Sequence, residues 1–137
     1  MIKQLTLSLL LILVFALTAC ADDGGDDATS GAVQAIEDYL QARVDSDEAA
    51  LQQLVCAERE GEVEQMAMSF AAVENLRLED MACTLDSSTD DSATVSCDGQ
   101  MIGDYGTGDE TAFDLETYRV VQEDGVWRWC GETAASS

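Results

Sequence analysis

The twelve residues Tyr118-Arg119-Val120-Val121-Gln122-Glu123-Asp124-Gly125-Val126-Trp127-Arg128-Trp129 decide the fold class. Two runs rich in β-branched and aromatic residues flank Asp124-Gly125, a pair that tolerates positive φ and so favours a two-residue hairpin turn. With that turn, Val120 pairs with Trp129 and Gln122 with Trp127. Both tryptophans then share a face with Val120 and Tyr118, because side chains alternate along a strand.

Toward the N-terminus of this hairpin the parity breaks. Phe113 and Leu115 are odd, whereas Tyr118 and Val120 are even, so one strand over Thr111 to Gln122 needs a bulge near Glu116 or Thr117 to keep its apolar residues on one side. Such a bulge bends a sheet. Earlier still, Met81, Cys83 and Leu85 alternate with small or polar residues, as do Val95 and Cys97, with the turn-like Ser87 to Ser92 between them. If that turn centres near Asp90, Leu85 faces Val95 and Cys83 faces Cys97.

The first half of the chain has the helical period instead. Val33, Ile36, Leu40 and Val44 recur at spacings of three and four behind a capping Ser30. A second helix follows an Asp45 or Ser46 cap, with Glu48 placed as in a capping box and Leu51, Leu54 and Val55 on its apolar side. A third, short helix is predicted over Glu62 to Phe70 from Val63, Met66 and Phe70. Helices followed by a meander of about four antiparallel strands make the class α+β.

The helix Ala32-Val33-Gln34-Ala35-Ile36-Glu37-Asp38-Tyr39-Leu40, the acid-capped second helix and the closing hairpin together resemble the nuclear transport factor 2-like superfamily, and within it the SnoaL-like, lipoprotein-associated members of unknown function. The resemblance covers roughly residues 30 to 131. It implies a cone in which a curved sheet wraps the first helix, often with a pocket at the open end, and it leaves a homodimer through the open sheet face as one assembly.

Residues 1–19 read as an export leader: Lys3, then Leu5 to Ala19 without a charge, then small residues before Cys20. The run is too short for a spanning helix, which needs about 20 apolar residues. Leu17-Thr18-Ala19-Cys20 resembles the bacterial lipoprotein lipobox, which implies cleavage before Cys20, diacylglycerol on its sulfur and a lipid anchor in a membrane; the alternative is an ordinary secretory signal with a chance cysteine. Residues 20–29, with four aspartates and two glycines between Ala21 and Thr29, are expected to be an acidic flexible tether. The domain is expected over 30–132 and a tail over 133–137.

Charge excludes one class of partner. The whole chain carries 28 acidic residues and a formal charge of −22, and loss of Lys3 with the leader takes this to −23. So negative a surface repels nucleic acid and anionic lipid. Of the five cysteines, Cys20 is assigned to lipid, leaving Cys56, Cys83, Cys97 and Cys130 for two disulfides in an exported domain. The Cys83–Cys97 and Cys56–Cys130 pairing is set against Cys56–Cys83 with Cys97–Cys130. With no histidine and no CxxC pair, no metal site and no cofactor are expected.

The absence of histidine also removes the acid–base dyads that enzymes of this superfamily commonly use. A carboxylate with a tyrosine, Asp104 with Tyr105 or Glu116 with Tyr118, is the remaining catalytic option, and it requires an inward carboxylate desolvated enough to act as a base. The loop Gly103 to Glu110 does not match a calcium-loop spacing and reads as a turn. No catalytic residue is therefore assigned; Tyr118, Trp127 and Trp129 are the candidate pocket. The expected function is a lipid-anchored extracytoplasmic module that binds a small molecule or an envelope protein, with a small hydrolase or isomerase inside the cone as the alternative.

Overall fold

The computed structural model describes residues 24–134. The lipobox, Cys20 and the leader lie outside the described residues. Helix α1 runs Gly24–Val44, α2 Glu48–Leu54 and α3 Val63–Met68, with a 3₁₀ segment Ala57–Glu62 ahead of α3. Strands β1 (Glu74–Ser88), β2 (Ser92–Asp104), β3 (Glu110–Asp114), β4 (Thr117–Glu123) and β5 (Val126–Thr133) follow. All pair antiparallel in the order β1-β2-β4-β5, with β3 also on β2.

α1 starts at Gly24, ahead of the Ser30 cap expected from sequence, so the last residues of the acidic stretch belong to it. Once a helix is nucleated by packing, each further turn adds hydrogen bonds at little cost. The second cap is also displaced: Asp47, not Asp45 or Ser46, accepts the Ala50 N–H at 3.0 Å. Asp45 and Ser46 instead close α1. Ser46 takes a left-handed φ of 53°, and the bonds Asp47 N–H to Ala42 O and Ser46 N–H to Arg43 O form a Schellman termination.

The expected third strand is two strands. β3 pairs with Gln100 to Asp104 and β4 with Ser92 to Ser96, and the register slips by one residue between them. The break falls at Leu115-Glu116, where the parity changed, and is bridged by Leu115 N–H to Gly99 O (3.0 Å) and Glu116 O from Cys97 N–H (3.1 Å). Comparable irregularities cross the neighbouring strands: Asp80 at φ 52° in β1, Gly99 at φ 108° in β2 and a register shift between β4 and β5 at Tyr118/Val120. A row of bulges in successive strands folds the sheet along one line and gives it the curvature that wraps α1.

The two hairpins have the registers expected from sequence: Leu85 opposite Val95 and Cys83 opposite Cys97, then Val120 opposite Trp129 and Gln122 opposite Trp127. Asp124 and Gly125 have φ of 52° and 79°, which defines the two-residue turn. The core lies between α1 and the concave face. Ile36, Tyr39 and Leu40 of α1 meet Val95, Tyr118, Val120 and Trp129 of the sheet, with Leu51, Val55 and Val63 closing the end.

Two disulfides, Cys56–Cys130 and Cys83–Cys97, fasten this arrangement. The first sits in a clasp holding the segment after α2 to β5. Val55 bridges Trp129, the Cys56 N–H donates to Trp129 O at 2.9 Å, and the Glu123 carboxylate accepts the Ala57 N–H at 3.1 Å. The Arg128 guanidinium donates to Gln53 O near the end of α2.

Candidate functional site

The three aromatic residues expected to line a pocket have different fates. Trp129 is 3% exposed and stacks on Tyr39, with ring centroids 4.5 Å apart and planes within 9°. Tyr118 packs edge-on against Tyr39 from the other side, at 6.4 Å, and is equally buried. These rings fill the interior of the cone. Trp127 packs away from them, against Gly31 at the start of the domain, and lines a shallow groove with Leu54 and Val126. Of the three, Trp129 alone lines the cleft at the mouth.

That cleft, about 210 Å³, is bounded by Tyr39 and Arg43 of α1, Arg59, Glu62, Gln65, Met66 and Ser69 from the 3₁₀ segment and α3, and Trp129 and Glu132 of β5. The end of α1 and the clasp bring these residues together. The Arg43 guanidinium lies 5.1 Å from the Phe70 ring centre and 5.7 Å from that of Tyr39, and donates to the Tyr39 hydroxyl at 2.8 Å. Arg59 lies 5.5 Å from the Trp129 ring centre and pairs with Glu62 at 3.1 Å. Aromatic faces hold both cations by their quadrupoles and restrict their rotamers.

Among the described residues, three buried side-chain polar atoms have no hydrogen-bond partner in the chain: Arg43 Nε, Arg59 Nε and Trp129 Nε1. All three belong to residues lining this cleft. A buried N–H left unpaired costs about 1–3 kcal/mol, and native structures tolerate few of them. The three lie in the walls of one cleft, and each is shielded from solvent, so pairing any of them with an acceptor requires its side chain to shift.

Burial raises the pKa of both central phenols. For Tyr118 it prevails over a lowering hydrogen bond, from the Glu116 N–H to the hydroxyl at 3.1 Å, and carries the pKa from 10.0 to about 12. Tyr39 is raised by the same cause, opposed by Arg43. The unfolded chain therefore releases the Tyr118 proton near its ordinary value, while the folded chain keeps it to about pH 12. Stability is full below the ordinary value and falls as pH rises through that window. Tyr118→Phe is expected to move the alkaline unfolding midpoint upward, and to cost about 1 kcal/mol at neutral pH through the lost acceptor, read by circular dichroism in urea. An unmoved alkaline midpoint would assign the transition to another group.

Neither carboxylate–tyrosine pair assembles inside the cone. Tyr105 is 53% exposed on the loop after β2, and Asp104 accepts the Gly106 N–H at 2.7 Å and the Asn75 Nδ2–H at 3.2 Å, which holds that loop as a turn. Glu116 meets Tyr118 through its backbone N–H, and its side chain is exposed. Cys56, Cys130 and Glu58 bring ligand-type atoms within 4.8 Å of one another, but both sulfurs belong to one disulfide, which leaves a single carboxylate. Among the described residues the exposed large apolar side chains are apart in the fold, Met68 on α3, Tyr105 on the loop after β2 and Val126 on β5.

No family model matches the sequence, and no curated protein matches it. Solved structures do. A candidate dehydratase of the nuclear transport factor 2-like family from Streptomyces avermitilis superposes with a TM-score of 0.59 over 80% of this chain and 99% of that one, at 17% identity. The fold is nuclear transport factor 2-like. The solution structure of a SEC-C motif containing protein from Rhodopseudomonas palustris also matches, with a TM-score of 0.54, 15% identity, and 74% and 77% of the two chains covered.

In this nuclear transport factor 2-like domain the sequence reading missed Arg43 and Arg59. It sought function in carboxylates and tryptophans, whereas the scarce residue in a chain of 28 acids is the cation. Arg43 follows Tyr39 by one helical turn and Leu40 by three residues, so it lies beside the apolar face rather than on the solvated one. That placement was visible in the spacing of three and four residues along the helix.

Proposed function

We propose that this protein is a lipid-anchored extracytoplasmic lipoprotein whose cone domain binds a small ligand, without catalysis, in the cleft beside Trp129. The observation that supports the binding role is that three residues carrying unpartnered buried donors line one cleft of about 210 Å³. A filled interior and polar walls suit recognition at the mouth, whereas proton-transfer chemistry would want a carboxylate desolvated among apolar residues. The anchor rests on the leader and on Leu17-Thr18-Ala19-Cys20. Two or more acyl chains on Cys20 would hold the protein firmly to a bilayer, where one would do so only marginally.

Cys20→Ala is expected to release the protein from the membrane fraction into the soluble one, with unchanged circular dichroism of the domain. A variant that still sediments with membranes and carries an acyl mass would refute the anchor. The binding role is tested by a ligand-observed NMR fragment screen of the full chain in detergent, alongside Ser69→Trp, which places an indole in the cleft from the exposed end of α3. Fragments that bind the parent and not the variant support the proposal; a screen in which the two proteins bind alike overturns it.

A further inference from the structure

The charges around the cleft narrow the class of ligand. Among the described residues, Arg59 pairs with Glu62, Arg77 with Glu79 and Glu110, Arg119 with Glu58, and Arg128 with Glu123. Arg43 has no carboxylate of a described residue within ion-pair distance, in a chain whose formal charge is −22. Its Nη1 is committed to the Tyr39 hydroxyl, its Nε is buried and unpartnered, and the ring centres of Tyr39 and Phe70 lie 5.7 and 5.1 Å from its central carbon.

Arg59 repeats the pattern: one terminal nitrogen on Glu62, a buried Nε without a partner, and the Trp129 ring centre 5.5 Å from its central carbon. The Trp129 indole N–H, on a residue 3% exposed, adds a donor that can never accept. Every unpartnered group is thus an N–H, two of them on cations. The complementary ligand atom is an anionic oxygen, for which planar guanidinium forks are well shaped.

Polyanions fit poorly. Glu62 and Glu132 stand in the same walls, and the field of the whole chain repels a second negative charge.

We infer that the cleft selects a small organic monocarboxylate, its oxygens received by the guanidinium groups of Arg43 and Arg59. This rests on the ligand-binding reading above and assigns it a charge class. The test uses three probes of one shape and three charges, benzoate, benzamide and benzylamine, titrated into the full chain in detergent at low salt and followed by isothermal calorimetry.

Benzoate is expected to bind at least about tenfold more tightly than benzamide, with benzylamine weakest, and to weaken as salt screens the pair. Arg43→Gln is expected to lose about tenfold on benzoate and leave benzamide unchanged, while Arg43→Lys, which keeps the charge without the fork, falls between. Should Arg43→Gln fail to fold, Arg59→Gln carries the same expectation. Benzamide binding as tightly as benzoate, benzylamine binding more tightly, or millimolar silence from all three would overturn the carboxylate assignment. In each of those cases the fragment screen with Ser69→Trp decides separately whether the cleft binds a ligand at all.

Discussion

Replacing Cys56 and Cys130 together by alanine is expected to remove about 4 kcal/mol of stability, against about 3 kcal/mol for the Cys83/Cys97 pair. The difference comes from the unfolded state. The first bridge spans 74 residues of sequence and the second 14, and the entropy that a crosslink removes from the denatured chain grows with the logarithm of the loop. A domain of this size is stable by about 5–15 kcal/mol, so losing the long bridge leaves it marginal at body temperature. The clasp amplifies the loss, because the Cys56 N–H bond to Trp129 O and the Ala57 N–H bond to Glu123 lose the crosslink that holds the segment after α2 beside β5. Urea unfolding of the two double variants, compared by midpoint and slope, measures this. A larger cost for the short loop would mean that native packing around Cys83 and Cys97, rather than chain entropy, sets the order.

The second large effect is at the bend of the sheet. Gly99 has φ 108°, a region that side-chain-bearing residues rarely occupy, and a Cβ there would lie 2.6 Å from Glu79 O and 2.7 Å from Asp80 O. Both obstacles are backbone atoms of the adjacent strand and cannot rotate away. Gly99→Ala should therefore combine backbone strain with overlap and cost about 3 kcal/mol or more. Gly61→Ala is the control: nothing lies within 4 Å of its Cβ position, and its effect should stay within about 0.5 kcal/mol. Thermal and urea unfolding of both variants checks the pair. Equal effects at the two glycines would show that the bend relaxes freely and is not what shapes the cone.

The bend itself was legible in the sequence, as a change of parity between Leu115 and Tyr118, because a strand period of two leaves no other way to keep both residues buried. The hairpin registers were legible for the same reason: Asp124-Gly125 and the Asp90 turn fix which residues face each other, and Cys83 opposite Cys97 follows. Helix ends were less so. Asp45, Ser46 and Asp47 can all cap, and only the closing geometry of α1 decides that Ser46 turns left-handed and Asp47 begins α2.

The cleft was least legible. It depends on Arg43, Arg59 and Trp129 meeting from three separate elements, and local pattern carries no information about such long-range encounters. Alternation placed Trp127 and Trp129 on one face of β5, correctly, but could not say that Trp129 meets Tyr39 while Trp127 meets Gly31, since that depends on how α1 crosses the curved sheet.

The Cys56–Cys130 bond also divides the molecule by how it carries mechanical load. Everything from Cys56 to Cys130, which includes α3, β1 to β4 and most of β5, is a covalently closed ring with the Cys83–Cys97 bond inside it. Helices α1 and α2 precede the ring. Tension entering from the N-terminal side is resisted first by non-covalent packing, led by Ile36, Tyr39, Leu40 and Leu51, and the chain can pay out only as far as Cys56 before force passes into the disulfide. The span from Gly24 to Cys56 reaches at most roughly 110 Å when fully extended, after which the strands inside the ring cannot be unravelled by pulling. A protein tethered from that end would yield by shedding its helices and keep its sheet closed.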